Sequence, residues 1–192
     1  EVNQIIEGKE TEKKEKEESA EKKEGEESEE GIITKSINDL VFDLNLDINK
    51  YKTIKVDTDG YDWDVLNSIN DYCKNNTDNF DFIFYEHQTF LNNLGPTDEK
   101  RIWRETKYYE SLLKLRDFRY TNYYIFDNFG NFILKSTDLD CLNQIVKYLR
   151  NSVNNRTTFN FCDILICKDE GVDIVEKTLE EYYINDLKVE IN

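Results

Sequence analysis

Residues 54–69 read IKVDTDGYDWDVLNSI. The apolar run Ile54 and Val56 ends in Asp57 and Asp59, with Gly60 directly after them. Beyond the glycine the apolar period changes from two to about 3.6, because Trp63, Leu66 and Ile69 recur at helical spacing. Asp62 and Asp64 fall in the first turn of that helix, where carboxylates meet exposed N–H groups and the positive end of the dipole. The stretch therefore predicts strand, tight turn and helix, with carboxylates at the carboxyl end of the strand. In open α/β sheets that edge is where ligands bind.

Working outward, the flanks divide into one unusual segment and one globular one. Residues 1–31 hold thirteen Glu against six Lys, so they carry seven of the sixteen excess negative charges. Residues 9–30 contain one Ala as their only apolar residue, too little to offset the entropy of ordering, and are expected to be disordered. A solvated spacer or an acidic interaction segment both fit this composition. A chain beginning at Glu1 reads as a fragment or processed piece. The net charge of −16 argues against nucleic acid or anionic lipid as a partner. Four dispersed cysteines and one histidine predict no metal site and a reducing, cytoplasmic location. Cys162 and Cys167 lie in an apolar run and read as small buried hydrophobes. No apolar stretch approaches the ~20 residues of a membrane span.

From residue 32 the chain reads as one α/β domain to residue 170, followed by a polar tail over 171–192. Ser36, Asn38 and Asp39 offer N-cap chemistry for a short helix with an apolar face of Ile37, Leu40, Val41 and Leu44. Residues 46–52 read as a loop. Residues 80–85 form a near-continuous aromatic and aliphatic strand covered on both faces, ending in Glu86 and His87. A long helix is predicted from Thr97 to about Leu115, with Ile102, Trp103, Tyr109, Leu112 and Leu113 on its buried face. A hairpin turning at Asn128–Asn131 follows, then a helix over 138–150 and a last core strand over 159–167.

The central block resembles the strand-four signature of FkbM-type methyltransferases, I-K-[IV]-D-x-[ED]-G-[YF]-[ED]-x-x-V-L. Ile54, Lys55, Val56, Asp57, Asp59, Gly60, Tyr61, Asp62, Val65 and Leu66 match it. The helix before it and the acid-and-polar step Glu86-His87 are similar to the family's flanking segments, so the resemblance covers about residues 32–168. It implies the carboxyl-terminal half of a Rossmann-like class I methyltransferase sheet, strands four to seven with an antiparallel closing hairpin. It also implies S-adenosylmethionine as cofactor and O-methylation of a sugar or small-metabolite hydroxyl. The seven glycines include no G-x-G, so the glycine-rich turn that would admit the cofactor to the backbone is missing. An acid on a second strand, to hold the ribose, has no strand to sit on. A missing N-terminal half of the same protein is thus an expected partner.

In such a fold Asp57, Asp59 and His87 are the candidate catalytic residues, with Lys55, Gly60 and Glu86 as candidate substrate contacts. Either acid suits proton acceptance or the orientation of a hydroxyl, and His87 suits a general base. Each has a structural alternative: Asp59-Gly60 as turn chemistry, Asp57 as a helix cap, His87 as a buried ring, Lys55 as a strand-edge lysine paired to an acid. Alternation along the strand sends Glu86 and His87 to opposite faces. Two further readings compete. Val56–Gly60 is similar to the nucleophile loop of haloacid-dehalogenase phosphatases, D-x-D-G-[TV], although Tyr61 replaces the small residue and Lys55 interrupts the apolar run. The other is a non-catalytic module that keeps the acceptor half of the fold. A calcium loop fits worse, since the glycine sits at the wrong offset.

Overall fold

The computed structural model describes residues 35–58, 60–76, 79–88, 99–150 and 161–190. Ser36–Asn192 forms one compact unit; the Glu/Lys segment and the disorder expected of it lie outside the described residues, as does Asp59.

Helix α1 (Ile37–Asp43) starts at Ser36, whose hydroxyl accepts the Asp39 N–H while the Asp39 carboxylate accepts the Ser36 N–H at 3.0 Å. This reciprocal capping box satisfies two amides that a helix start leaves orphaned. A single 3-10 turn (Ile48–Lys50), capped by Asp47, lies in the stretch expected to be plain loop. Strand β1 (Thr53–Val56) then leads through the Gly60 turn into α2 (Asp62–Asn75). Next come β2 (Phe82–His87), α3 (Glu99–Arg116), β3 (Asn122–Asp127), β4 (Phe132–Ser136), α4 (Leu139–Arg150) and β5 (Cys162–Cys167).

The strands form one mixed sheet in the order β1-β2-β5-β3-β4. Among the described strands β1 and β2 are the one adjacent parallel pair; β5 is antiparallel to both β2 and β3, and β3 to β4. The last strand in sequence therefore inserts between β2 and the hairpin. That hairpin turns where expected, with Gly130 at φ +84° and the Asp127 carboxylate accepting the Phe129 and Asn131 amides.

Register assigns the two faces. Val56, Ile83, Tyr85, His87, Ile164 and Ile166 share the first face with Tyr123 and Ile125. They meet Leu66 and Ile69 of α2 and Tyr108, Leu112 and Leu115 of α3 in the main core. Buried polar groups tie those helices together: Asn70 donates to the Ser111 carbonyl at 2.9 Å, and Ser111 donates to the Trp63 carbonyl. Cys162 and Cys167 are buried and unpaired by disulfide, as the apolar run around them predicts.

Two expectations need correction. The segment read as a polar tail contains a 19-residue helix, α5 (Val172–Glu190). Val172, Val175 and Leu179 recur at helical spacing and pack on the second face against Tyr124, Leu165 and Phe132. The buried face of α3 also differs. Ile102, Trp103 and Leu113 are exposed, whereas Arg101, Arg104, Tyr108, Ser111, Leu112 and Leu115 are buried. Leu112 is buried and Tyr109 half-buried as expected, but counting apolar residues misplaces the rest of the stripe because this helix turns two arginines and a serine inward.

Candidate functional site at the carboxyl edge of β1 and β2

Asp57 follows the last residue of β1, and its half-exposed carboxylate pairs with Lys55 at 3.0 Å. That bond is the first cause raising the Lys55 pKa above its ordinary value. Both partners face solvent, so the pair adds little to stability. Asp57 does not cap α2: the cap position is Tyr61, without a side-chain bond.

The turn is organised by Asp62 instead. Its side chain is fully buried, and Oδ2 accepts from the Thr58 hydroxyl at 3.1 Å and the Gly60 N–H at 3.3 Å. Oδ1 is buried without a hydrogen-bond partner. Desolvation pushes the Asp62 pKa up, opposed by those donated bonds. Gly60 takes φ +98°, a left-handed backbone that suits glycine. A Cβ there would lie 2.8 Å from Arg104 Nη1 and 3.6 Å from Gln88 Oε1. The absent side chain is what lets the Arg104 guanidinium of α3 close over the turn. Arg104 is 8% exposed, its Nη1 has no hydrogen-bond partner, and its guanidinium carbon sits 5.5 Å from the centre of the exposed Tyr61 ring.

His87 and Glu86 are both within β2 and do go to opposite faces. His87 is buried on the core face, with Nδ1 3.1 Å from the Tyr85 hydroxyl and its ring 4.6 Å from that of Tyr108. Nε2 has no partner, and burial lowers the pKa to about 4. In this environment the imidazole is neutral at pH 7 and a weak base. Glu86 lies on the second face opposite Asp163 of β5. Asp163 is half-buried, and desolvation raises its pKa, with Asp57, Asp62 and Asp127 adding to the rise and Lys55 opposing it.

The sheet thus divides the predicted residues. Lys55, Glu86 and Asp163 share one face, His87 the other, and Asp57 and Gly60 sit at the rim. Asp62, Arg104 and Tyr61 were not among the predicted site residues. The signal for Asp62 is its place two residues after a turn glycine. For Arg104 it is the 101-104-108-111 spacing on α3. Two clefts lie elsewhere: about 330 Å³ between α3 and α4, lined by Ile102, Tyr109 and Val146, and about 270 Å³ beside Arg119, Lys168 and Gly171. Among the described residues no group of three or more His, Cys, Asp or Glu is placed to hold a metal ion, and no helix is long and apolar enough to cross a membrane.

Compared with protein-family models, curated proteins and solved structures, the chain gives no match.

Proposed function

We propose that this chain is the acceptor-side half of an S-adenosylmethionine-dependent methyltransferase domain of the FkbM type, acting on a sugar or small-metabolite hydroxyl. The observation that carries the reading is the sheet. A parallel pair, β1 and β2, continues into antiparallel strands, and the signature loop of residues 57–62 lies at the carboxyl edge of that pair. The parallel pair at that edge supports the reading, in a sheet that has five strands and is otherwise antiparallel.

The residues present do not fit the cofactor itself. Of the two described turns with a glycine at positive φ, Gly130 is in the hairpin, and Gly60 is closed by Arg104. Gly130 is open, with nothing within 4 Å of a Cβ placed there, but it belongs to the hairpin turn; neither glycine lies in a glycine-rich turn. The described residues therefore do not form the cofactor half-site. What the chain contributes is the rim: the Gly60 turn, the buried Asp62 carboxyl beneath it, and the acid-rich face of Asp57, Glu86 and Asp163.

A second reading, a non-catalytic module of the same fold, is favoured by the Lys55–Asp57 pair and the buried His87, which leave the expected acid and base engaged or inaccessible. Methyl transfer from radiolabelled S-adenosylmethionine separates the two. The native gene product carrying this chain is incubated with candidate alcohols, with Asp62→Asn as comparison. Label in an alcohol that depends on Asp62 supports the enzyme. Binding of S-adenosylhomocysteine without turnover supports the non-catalytic module.

A further inference from the structure

The rim holds two buried polar atoms that its own residues leave unused. Asp62 Oδ1 is an acceptor and Arg104 Nη1 is a donor; both are closed to solvent and lack partners. They belong to side chains that are 0% and 8% exposed. Gly60 is close to both side chains, its N–H 3.3 Å from Asp62 Oδ2 and its missing Cβ position 2.8 Å from Arg104 Nη1. Leaving buried donors and acceptors unsatisfied costs about 1–3 kcal/mol each, so a folded chain that keeps such a cluster invites a ligand to complete it. Arg104 is suited to moving aside, because Nη1 gives up no hydrogen bond when the guanidinium swings.

We propose that Asp62 and Arg104 are the positioning residues of the acceptor site, holding one hydroxyl of an uncharged, ring-shaped polyol against the exposed Tyr61 ring. The inference rests on the acceptor-side reading above and names the residues and the charge class that reading leaves open. A hydroxyl both donates and accepts, so it satisfies Asp62 Oδ1 and Arg104 Nη1 together. An anionic ligand is disfavoured by Asp62, whose carboxylate acts on Asp163 together with that of Asp57, and a cationic one by the unpartnered Arg104 guanidinium nitrogen. The apolar platform is present as well. Tyr61 is 60% exposed, and its ring centre lies 5.5 Å from the Arg104 guanidinium carbon. Such rings suit the C–H face of a polyol whose rim is polar. Asp57 and His87, the obvious acid and base by sequence, are not the residues that hold it.

Saturation-transfer NMR on the 192-residue chain tests this, with galactose, mannose, rhamnose and myo-inositol as neutral probes and glucuronate and glucosamine as charged ones. The expected result is transfer to at least one neutral probe and weaker transfer to both charged analogues. Tyr61→Ala, a surface change that leaves the core intact, weakens binding about tenfold. Asp62→Asn and Arg104→Gln, each checked for folding by circular dichroism, weaken it similarly. Phe129→Ala on the hairpin leaves it unchanged. The proposal is overturned if no neutral probe shows transfer, if charged probes bind as well, or if Tyr61→Ala binds like wild type. The methyltransferase reading fails separately. Polyol binding in a gene product that never binds S-adenosylhomocysteine keeps this inference and removes that reading; the reverse pattern removes this inference alone.

Discussion

Replacing Gly60 by alanine isolates what the turn demands. The backbone sits at φ +98°, and an L residue held there costs about 1–3 kcal/mol. The new Cβ also falls 2.8 Å from Arg104 Nη1. That atom ends a flexible side chain and has no hydrogen bond to lose, so its displacement adds at most about 1 kcal/mol. Reduced freedom of the unfolded chain returns about 0.4–1 kcal/mol. The net expectation is a loss of about 2 kcal/mol, or about 4–8 °C in Tm for a domain of this size. Urea unfolding of Gly60→Ala, Arg104→Ala and the double variant measures the two parts. The backbone part survives removal of Arg104, so the double variant recovers less than half of the Gly60→Ala loss. Gly60→Asn loses less than Gly60→Ala, because asparagine visits left-handed backbone more readily. The reasoning is refuted if Gly60→Ala is neutral, or if Arg104→Ala restores the whole loss.

Further expectations concern titration and packing. The single histidine gives one assignable imidazole signal, and its NMR titration midpoint falls near pH 4; a midpoint near 6.5 removes the buried placement. Because the folded-state value lies below the unfolded one, His87 opposes folding as pH falls from 6.5 towards 4. Relative to His87→Gln, the wild type should lose on the order of 3 kcal/mol over that window by urea unfolding. Asp62 has the opposite sign. Its folded pKa is raised, so the cost of burying its charge is full above that value and is relieved as pH falls towards 3.8. Asp62→Asn should therefore gain on wild type as pH rises from the acid range to neutrality, and a difference independent of pH contradicts this. Ile83→Ala, at a fully buried strand position, should cost about 2–5 kcal/mol by the same assay. Lys55→Ala should leave the urea midpoint unchanged, since its pair with Asp57 is solvated.

The unit from β1 to α2 was legible because the hydrophobic period changes at a glycine, and local chemistry alone fixes strand, turn and helix there. The Ser36 cap and the Asn128–Asn131 turn were legible for the same reason. Strand order was not, since alternation reveals a strand without revealing its neighbours; nothing in residues 162–167 says that they enter between β2 and β3. The inward face of α3 was hidden because polar residues fill its core positions: Ser111 donates to the Trp63 carbonyl, Arg101 pairs with Glu105 of the same helix, and Arg104 lies over the Gly60 turn. Helix α5 was obscured by its acidic composition, although Val172, Val175 and Leu179 mark its buried stripe. At the site, sequence singled out the acids at the strand end. It passed over Asp62, whose importance comes from being buried under the turn.

The most direct test of the central claim is calorimetric titration with S-adenosylhomocysteine of the 192-residue chain and, in parallel, of the native gene product that carries it. The account predicts binding in the micromolar range by the native product and none by the chain alone, with circular dichroism verifying that the chain is folded. Binding by the chain alone would contradict the conclusion that its residues lack the cofactor half-site. Absence of binding by both would contradict the methyltransferase reading itself.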